Sequence, residues 1–394
     1  MNGGRATVLV AGAGIGGLTA ALALAGKGFK IIVAERAPRL EEAGAGLQLS
    51  PNASSVLISL GLQSSLETSA IAPDAVSVMS GPHGSELVRL PLDKSSPTAP
   101  YWVIHRADLQ ATLAAQANAH PLIELRLGCE LENFATTTGG VVVNLRQGTT
   151  PQRETVAALI GADGLWSAVR RQLDPVIQPR FTGLIAWRGT VENRLPLDQA
   201  ESPRVQLWMG SNAHLVTYPM AHARQTNVVA ISSGQWHDQG WSVPTSAAEA
   251  GAAFTASRWS EPARAIIASV TQWRKWALFE LPASATWVEG RVALLGDAAH
   301  AMLPFAAQGA GMAIEDAAVL AGCMSENAGD IATALQRYAD LRRERVARVQ
   351  NLARQNGRIY HLAGPVATAR DLAMKLLGGS RLVARQNWIY DWRI

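Results

Sequence analysis

Cysteine is nearly missing from this chain: Cys129 and Cys323 are the only two among 394 residues. They cannot build a disulfide framework, and they lack the clustered spacing of a zinc site. A reducing compartment fits them, and the expected location is the cytoplasm. Charge is sparse too, at 17% of residues. Global disorder is still excluded. With 48% hydrophobic residues, the chain can bury enough apolar surface to offset its ordering entropy. Long uncharged runs are also scarce, and only Ala6 to Gly26, 21 residues, reaches membrane-spanning length. With Arg5 before it, the run also imitates a signal peptide. Gly12, Gly14, Gly16, Gly17 and Gly26 argue against both readings, and a strand–turn–helix unit accounts for them. No membrane association is expected.

The net charge of +4 is unevenly placed. Glu326 to Ile394 carries 12 Lys and Arg against 6 Asp and Glu. This basic tail reads as a solvated helical face rather than a nucleic-acid patch, because Asp340 and Glu344 interrupt it and apolar residues recur. Leu335, Tyr338, Leu341, Val346, Val349, Leu352 and Ile359 form its apolar stripe, and Gly364-Pro365 ends the helix. The length suits one large domain or two interlocked ones.

The N-terminal unit carries the first chemistry. TVLVA (Thr7 to Ala11) is a β-branched run suited to a buried strand. GAGIGG then places Gly12, Gly14 and Gly17 in the G-x-G-x-x-G positions, with Ile15 inside the turn. A helix follows to Gly26 or Gly28, then the strand IIVAER ending in Glu35. Gly12 permits the tight turn, Gly14 the approach of a pyrophosphate, and Gly17 close helix–strand packing. The pyrophosphate then meets unpaired N–H groups at the helix start, and Glu35 can accept from a ribose diol. A dinucleotide is the ligand, and this unit alone does not choose between NAD and FAD.

The distal segment Arg291 to Ala321 makes that choice. VALL is a strand ended by Gly296-Asp297. A loop with Pro304 follows, and GAGM (Gly309 to Met312) opens a helix. A second helix N-terminus and an acid at a strand end suit a flavin. Its pyrimidine end becomes anionic on reduction, and its ribityl chain needs acceptors.

With these motifs in order, the chain resembles the single-component FAD-dependent aromatic hydroxylases, the group of p-hydroxybenzoate, salicylate and hydroxynicotinate hydroxylases. GAGIGG with Glu35-Arg36, GADGLWSAVR (Gly161 to Arg170) and GDAAHAMLPFAAQGAGMAIEDAA carry the likeness, supported by GAGLQLSPNA (Gly44 to Ala53) and HRADL (His105 to Leu109). The resemblance implies an α/β protein. A Rossmann-like FAD-binding domain would be interleaved with an antiparallel-sheet substrate domain and followed by C-terminal helices. Residues 1–180 and 281–325 would bind FAD, with short substrate-sheet strands near 73–103. Residues 181–280 would form the substrate domain, and 326–394 a helical cover on the flavin domain.

The same likeness implies roles for single residues. Glu35 would hold the adenosine ribose with Arg36 beside the adenine, and Arg106 would contact the phosphate–ribityl region. Asp163 lies in the motif serving both FAD and the nicotinamide donor. Asp297 would bind the ribityl chain. The N–H groups near Gly311 and Met312 would meet the pyrimidine edge, and Leu47 belongs to the loop at the substrate end of the flavin. NADH or NADPH would reduce the flavin transiently, since no second nucleotide-binding fold is present. Oxygen would then reach a small phenolic or hydroxypyridine-type acid through a flavin C4a-hydroperoxide.

The middle segment carries alternating runs such as GLIAWRGTV and AHLVTYPM, read as antiparallel strands. His214 and Tyr218 lie four apart, so period two puts both on one face with Val216. His214 is the expected base for a phenolic proton, Tyr218 its companion, and Gln48 an orienting group that cannot serve as a base. Trp187 and Arg188 are candidates to line the pocket, although a surface salt bridge is the favoured reading of Arg188. His300 is expected to be structural. A monomer or homodimer is expected, with no nucleic-acid partner and no metal. The rivals are a flavin oxidase or dehydrogenase without oxygen transfer, a non-catalytic FAD-binding redox sensor, and geranylgeranyl-reductase-like chemistry.

Overall fold

The computed structural model describes residues 6–40, 46–192, 202–220, 224–238, 240–255 and 257–394. A six-stranded sheet lies at its centre. Its middle is the strand Thr7–Ala11, parallel to Lys30–Glu35 on one side and Ala158–Gly161 on the other. These strands read as unbroken apolar runs because both faces are covered. The helix Ile15–Gly26 is buried for almost its whole length, which its Ala- and Leu-rich sequence permits. A Cβ on Gly16 would meet Leu295 and Ala313, so the first glycine of the GG pair lets this helix pack on Gly309–Glu326.

The second sheet has eight strands, six of them between Arg180 and Glu280 and the outer two, Ala75–Ser80 and Glu86–Pro91, from the N-terminal third. The expected α/β architecture is therefore present. Trp102–His105 pairs instead with Gly46–Leu49 in a separate ribbon. The eight-stranded sheet buries both faces. On its outer face, Trp187, Trp208, Leu215 and Trp273 pack under the helix Glu261–Ser269. On its inner face, Ala186 and Ile231 pack against Leu303 and Phe305 of the distal loop.

The tail departs from its expected pattern. The helix Ile331–Tyr360 buries Leu335, Tyr338, Arg342, Val346, Val349 and Ala353, a spacing of three and four. Leu341 is one position off that stripe and 55% exposed, and Ile359 is also exposed. The solvated-face reading thus fails for Arg342, which is 1% exposed. After the Gly-Pro break the tail leaves the flavin-side layers. A Cβ on Gly379 would collide with the carbonyl of Arg89, so this part closes on the edge strand of the second sheet. Residues 387–392 then return to the long helix, where Trp388 and Trp392 receive the guanidinium groups of Arg345 and Arg348. A purely flavin-side cover is not what forms.

Candidate active site

Two helix starts lack side-chain caps: Ile15–Gly26 begins at Gly14 and Gly309–Glu326 at Gln308. Gly12 adopts φ +103°, and a Cβ there would strike the Ala162 carbonyl. Gly17 is equally closed, since its Cβ would collide with the Gly12 carbonyl oxygen. Gly14 differs, because its missing Cβ faces open space. Glu35 accepts from the Ala13 N–H at 2.8 Å and from Ala37 at 2.8 Å, which fixes its carboxylate beside the turn. Arg36, next to it, is exposed.

The distal helix start carries one correction. The N–H of Met312 already donates to the Gln308 carbonyl at 2.7 Å, so it is not available to a ligand. The helical bond ladder begins one residue too early for it. The N–H groups of Gly309, Ala310 and Gly311 precede that ladder. A Cβ on Gly311 would press on the Gln308 amide. Gly296 holds φ +61°, turning the chain so that the Asp297 carboxylate is exposed at the strand end. Pro304 opens a short 3-10 turn to Ala306 that brings Phe305 under the second sheet.

Asp163 acts locally as a helix cap. Its Oδ2 accepts from Ala168 at 2.7 Å and Val169 at 3.2 Å, while Oδ1 is buried with no partner. Burial raises its pKa, against the hydrogen bonds that lower it. Arg170, at the end of the same motif, is buried and donates to the Ala298 carbonyl at 2.9 Å. It ties the second motif to the third. Arg106 opens the helix Arg106–Ala119, whose cap is the His105 ring.

The inner face of the second sheet supplies the other wall. The cross-strand register aligns Arg188 with Val229 and Val216, and His214 with Ile231. Tyr218 lies opposite Asn227 one row further on. His214 and Tyr218 share this face as expected, with Leu215 on the other. Trp187 does not line the pocket: it is adjacent to Arg188, and period two sends it into the outer core. Among the described residues Arg188 makes no salt bridge. Its Nε is buried without a partner, its guanidinium lies 5.4 Å from the Trp276 ring, and burial lowers its pKa.

Four of the five tyrosines meet here. Tyr101 donates to Gln48 Oε1 at 2.7 Å and packs edge-on against Tyr390 of the tail at 6.1 Å. Tyr218 lies against Gly46, where a Cβ would collide with its ring. Burial raises the Tyr218 pKa, and Arg188 partly opposes that rise. Leu47 sits between Gly46 and Gln48 in the same short strand. His214 is 2% exposed. Its Nδ1 lies 2.8 Å from His361 Nε2, with the rings of Phe305 and Tyr360 against it. Burial, then His361, holds His214 well below the ordinary imidazole range, and burial pushes His361 down to about 4.

Sequence reasoning missed the buried polar cluster behind this wall. Glu315 accepts from Arg342 at 2.6 Å, from Arg345 at 2.7 Å and from Asn52 at 2.7 Å. Asp316 takes Arg342 at 2.7 Å and His300 at 2.5 Å. His300 is structural, as expected. Burial alone would raise Asp316, but His300 and Arg342 overrule it and hold its pKa at about 2. The only sequence signal was an acidic pair inside an Ala-rich helix.

These residues fit FAD: open space at Gly14, two uncapped helix starts and an exposed acid at Asp297. Among the described residues, no helix is long and apolar enough to cross a membrane. The FAD binding domain family matches residues 5–353. The chain is 33% identical over 388 residues to 3-hydroxybenzoate 6-hydroxylase of Klebsiella oxytoca, covering 98% of this chain and 96% of that one. It is 34% identical to 6-hydroxynicotinate 3-monooxygenase of Bordetella bronchiseptica over 362 residues, 90% of this chain and 92% of that one. A salicylate hydroxylase solved as a substrate complex superposes with a TM-score of 0.81 at 28% identity, covering 99% of this chain and 96% of that one. The chain belongs to the FAD binding domain family and is an FAD-dependent aromatic monooxygenase of the NAD(P)H-using kind.

Proposed function

We propose that the protein hydroxylates a small phenolic or hydroxypyridine-type aromatic acid, with the acid held by Arg188 and its ring hydroxyl directed at His214. One observation carries this reading: a buried cation with an unpartnered Nε shares a sheet face with His214 and Tyr218. A carboxylate is the ligand chemistry that completes such a guanidinium. His214 is neutral at neutral pH, so it can accept the phenolic proton and leave a more nucleophilic phenolate. Tyr218 and Gln48, the latter held by Tyr101, orient the ring.

FAD, when bound, accepts electrons from NADH or NADPH and activates oxygen. Gly12, Gly14, Ile15 and Gly17 form the turn for its pyrophosphate, Glu35 takes the ribose, and Arg36 lies by the adenine. Arg106, Asp163, Gly296 and Asp297 serve the phosphate–ribityl region. Leu47, Pro304, Gly309 and Gly311 border the ring system. Residues 1–180 with 281–325 act as the flavin half, 181–280 as the substrate half, and 326–394 as the helical tail. The sparse, buried cysteines favour the cytoplasm, and a monomer or homodimer suffices, because all named groups come from one chain.

The test is turnover under labelled dioxygen with a panel of hydroxybenzoates and hydroxynicotinates. Label in the product supports the reading. NAD(P)H consumption that yields only hydrogen peroxide with every ring identifies an oxidase instead.

A further inference from the structure

His361 was not among the residues the sequence singled out, yet it is the polar partner of His214. It lies 147 positions downstream, at the C-terminal end of the long helix Ile331–Tyr360. His214 is sealed, at 2% exposure, whereas His361 is half-buried and lines a cavity of about 410 Å³. Glu280, Arg354 and Arg358 line the same cavity. Phe305 touches both imidazoles and the cavity, its ring 5.1 Å from His214 and 6.0 Å from His361. The buried imidazole therefore reaches the cavity by a hydrogen bond to a second imidazole.

We propose that His361 is a proton-relay residue, passing the substrate's phenolic proton from His214 to water in the Glu280–Arg354–Arg358 cavity. This rests on the reading of His214 as the base. The steps balance without a further reactant. The substrate O–H bond breaks and its proton goes to His214 Nε2, while the Nδ1–H of His214 moves to His361 Nε2. The Nδ1–H of His361 then goes to water. The net result is a bound phenolate and a solvent proton.

The relay answers a physical difficulty. A sealed imidazole holds a positive charge poorly, so His214 cannot keep the proton it takes. A second imidazole in hydrogen-bond contact removes the charge without opening the site. The charged and titratable groups around the pair are few. Tyr360 packs on His214 and donates to the Phe305 carbonyl at 3.3 Å. Arg354 pairs with Glu280 at 2.9 Å, Arg358 lines the cavity, and Arg370 is spent on the Ile359 and Tyr360 carbonyls. Among these described neighbours no carboxylate touches either imidazole, so water is the acceptor.

The experiment uses the full-length, FAD-loaded enzyme and whichever ring of the panel most accelerates NAD(P)H oxidation. Proton release on substrate binding is followed by stopped flow with an indicator dye in weak buffer. Wild type is expected to release the proton as fast as it binds the ring. His361→Gln keeps a hydrogen-bonding side chain but breaks the relay, and should release it at least tenfold more slowly, with FAD occupancy unchanged. His361→Ala should show the same loss, and millimolar imidazole should restore the rate. Release by His361→Gln within twofold of wild type overturns the relay, as does a loss in His361→Ala that imidazole cannot repair. His214→Ala separates the two claims. If it binds and hydroxylates the ring at the wild-type rate, the base assignment itself fails.

Discussion

Gly14 and Gly17 sit three residues apart in one turn, yet they answer to different demands. Gly17 is closed by the Gly12 carbonyl, so Gly17→Ala overpacks the turn, at a cost of about 1–3 kcal/mol or more. Gly14 has φ −71° and open space beyond it, so Gly14→Ala should leave the unfolding free energy of the apoprotein within about 0.5 kcal/mol of wild type. The added methyl enters the pyrophosphate path, and FAD affinity should fall at least tenfold. Equilibrium denaturation of apoprotein beside fluorescence titration with FAD checks both. Arg188 carries a second expectation. A hydrogen bond to a charged group contributes about 1.5–3 kcal/mol. Arg188→Met should therefore raise KM roughly 10- to 100-fold for a ring bearing a carboxylate and change little for the same ring without it. Equal effects on both rings would remove the carboxylate assignment.

The helices Gly309–Glu326 and Ile331–Tyr360 are joined by charges with no water to relax them. Glu315 and Asp316 are both 0% exposed and share Arg342. Removing Arg342 takes one cation from both buried carboxylates, leaving Glu315 to Arg345 and Asn52 and Asp316 to His300, and breaking a buried pair this way costs about 3–5 kcal/mol. Arg342→Ala should thus lower the urea midpoint strongly, more than Leu341→Ala next to it, since Leu341 is exposed. The tail segment 387–392 is fastened to the same cluster. Arg345 binds Glu315 and also donates to the Trp388 carbonyl at 2.9 Å and the Ile389 carbonyl at 3.1 Å. That places Tyr390 against Tyr101, and Tyr101 holds Gln48. Truncation after Gln386 should admit water to the substrate end, and product formed per NAD(P)H consumed should drop as peroxide rises.

Across the whole molecule, pH enters through groups that folding keeps in one protonation state. His214 and His361 are neutral when folded, with His361 held near 4, whereas an unfolded histidine takes a proton below about 6.5. The unfolded chain then binds more protons, so stability is complete above about pH 6.5 and falls as the pH drops toward 4. Asp316, held at about 2, adds a further loss only below its ordinary value of 3.8. Melting temperature should fall from pH 7 to pH 5, and His361→Gln should flatten that slope. An unchanged slope would mean the imidazole pair is already charged or open to water.

What could be read in advance follows from how far apart the deciding residues are. The glycine turn, Glu35 and the Gly-Asp motif are local patterns, because a phosphate-binding turn needs its residues within one strand–turn–helix unit. The shared face of His214 and Tyr218 was equally local, since strand period two settles it over four residues. The tertiary structure alone decided the rest. It turned Trp187 outward and buried Arg188 without an acid, which depends on which face of the sheet the distal loop covers. It chose Arg342 over Leu341 for the interior, because Glu315 and Asp316 wait on the opposing helix. It also set His361 beside His214 across 147 residues, a meeting that only the packing of the long helix against the sheet can bring about.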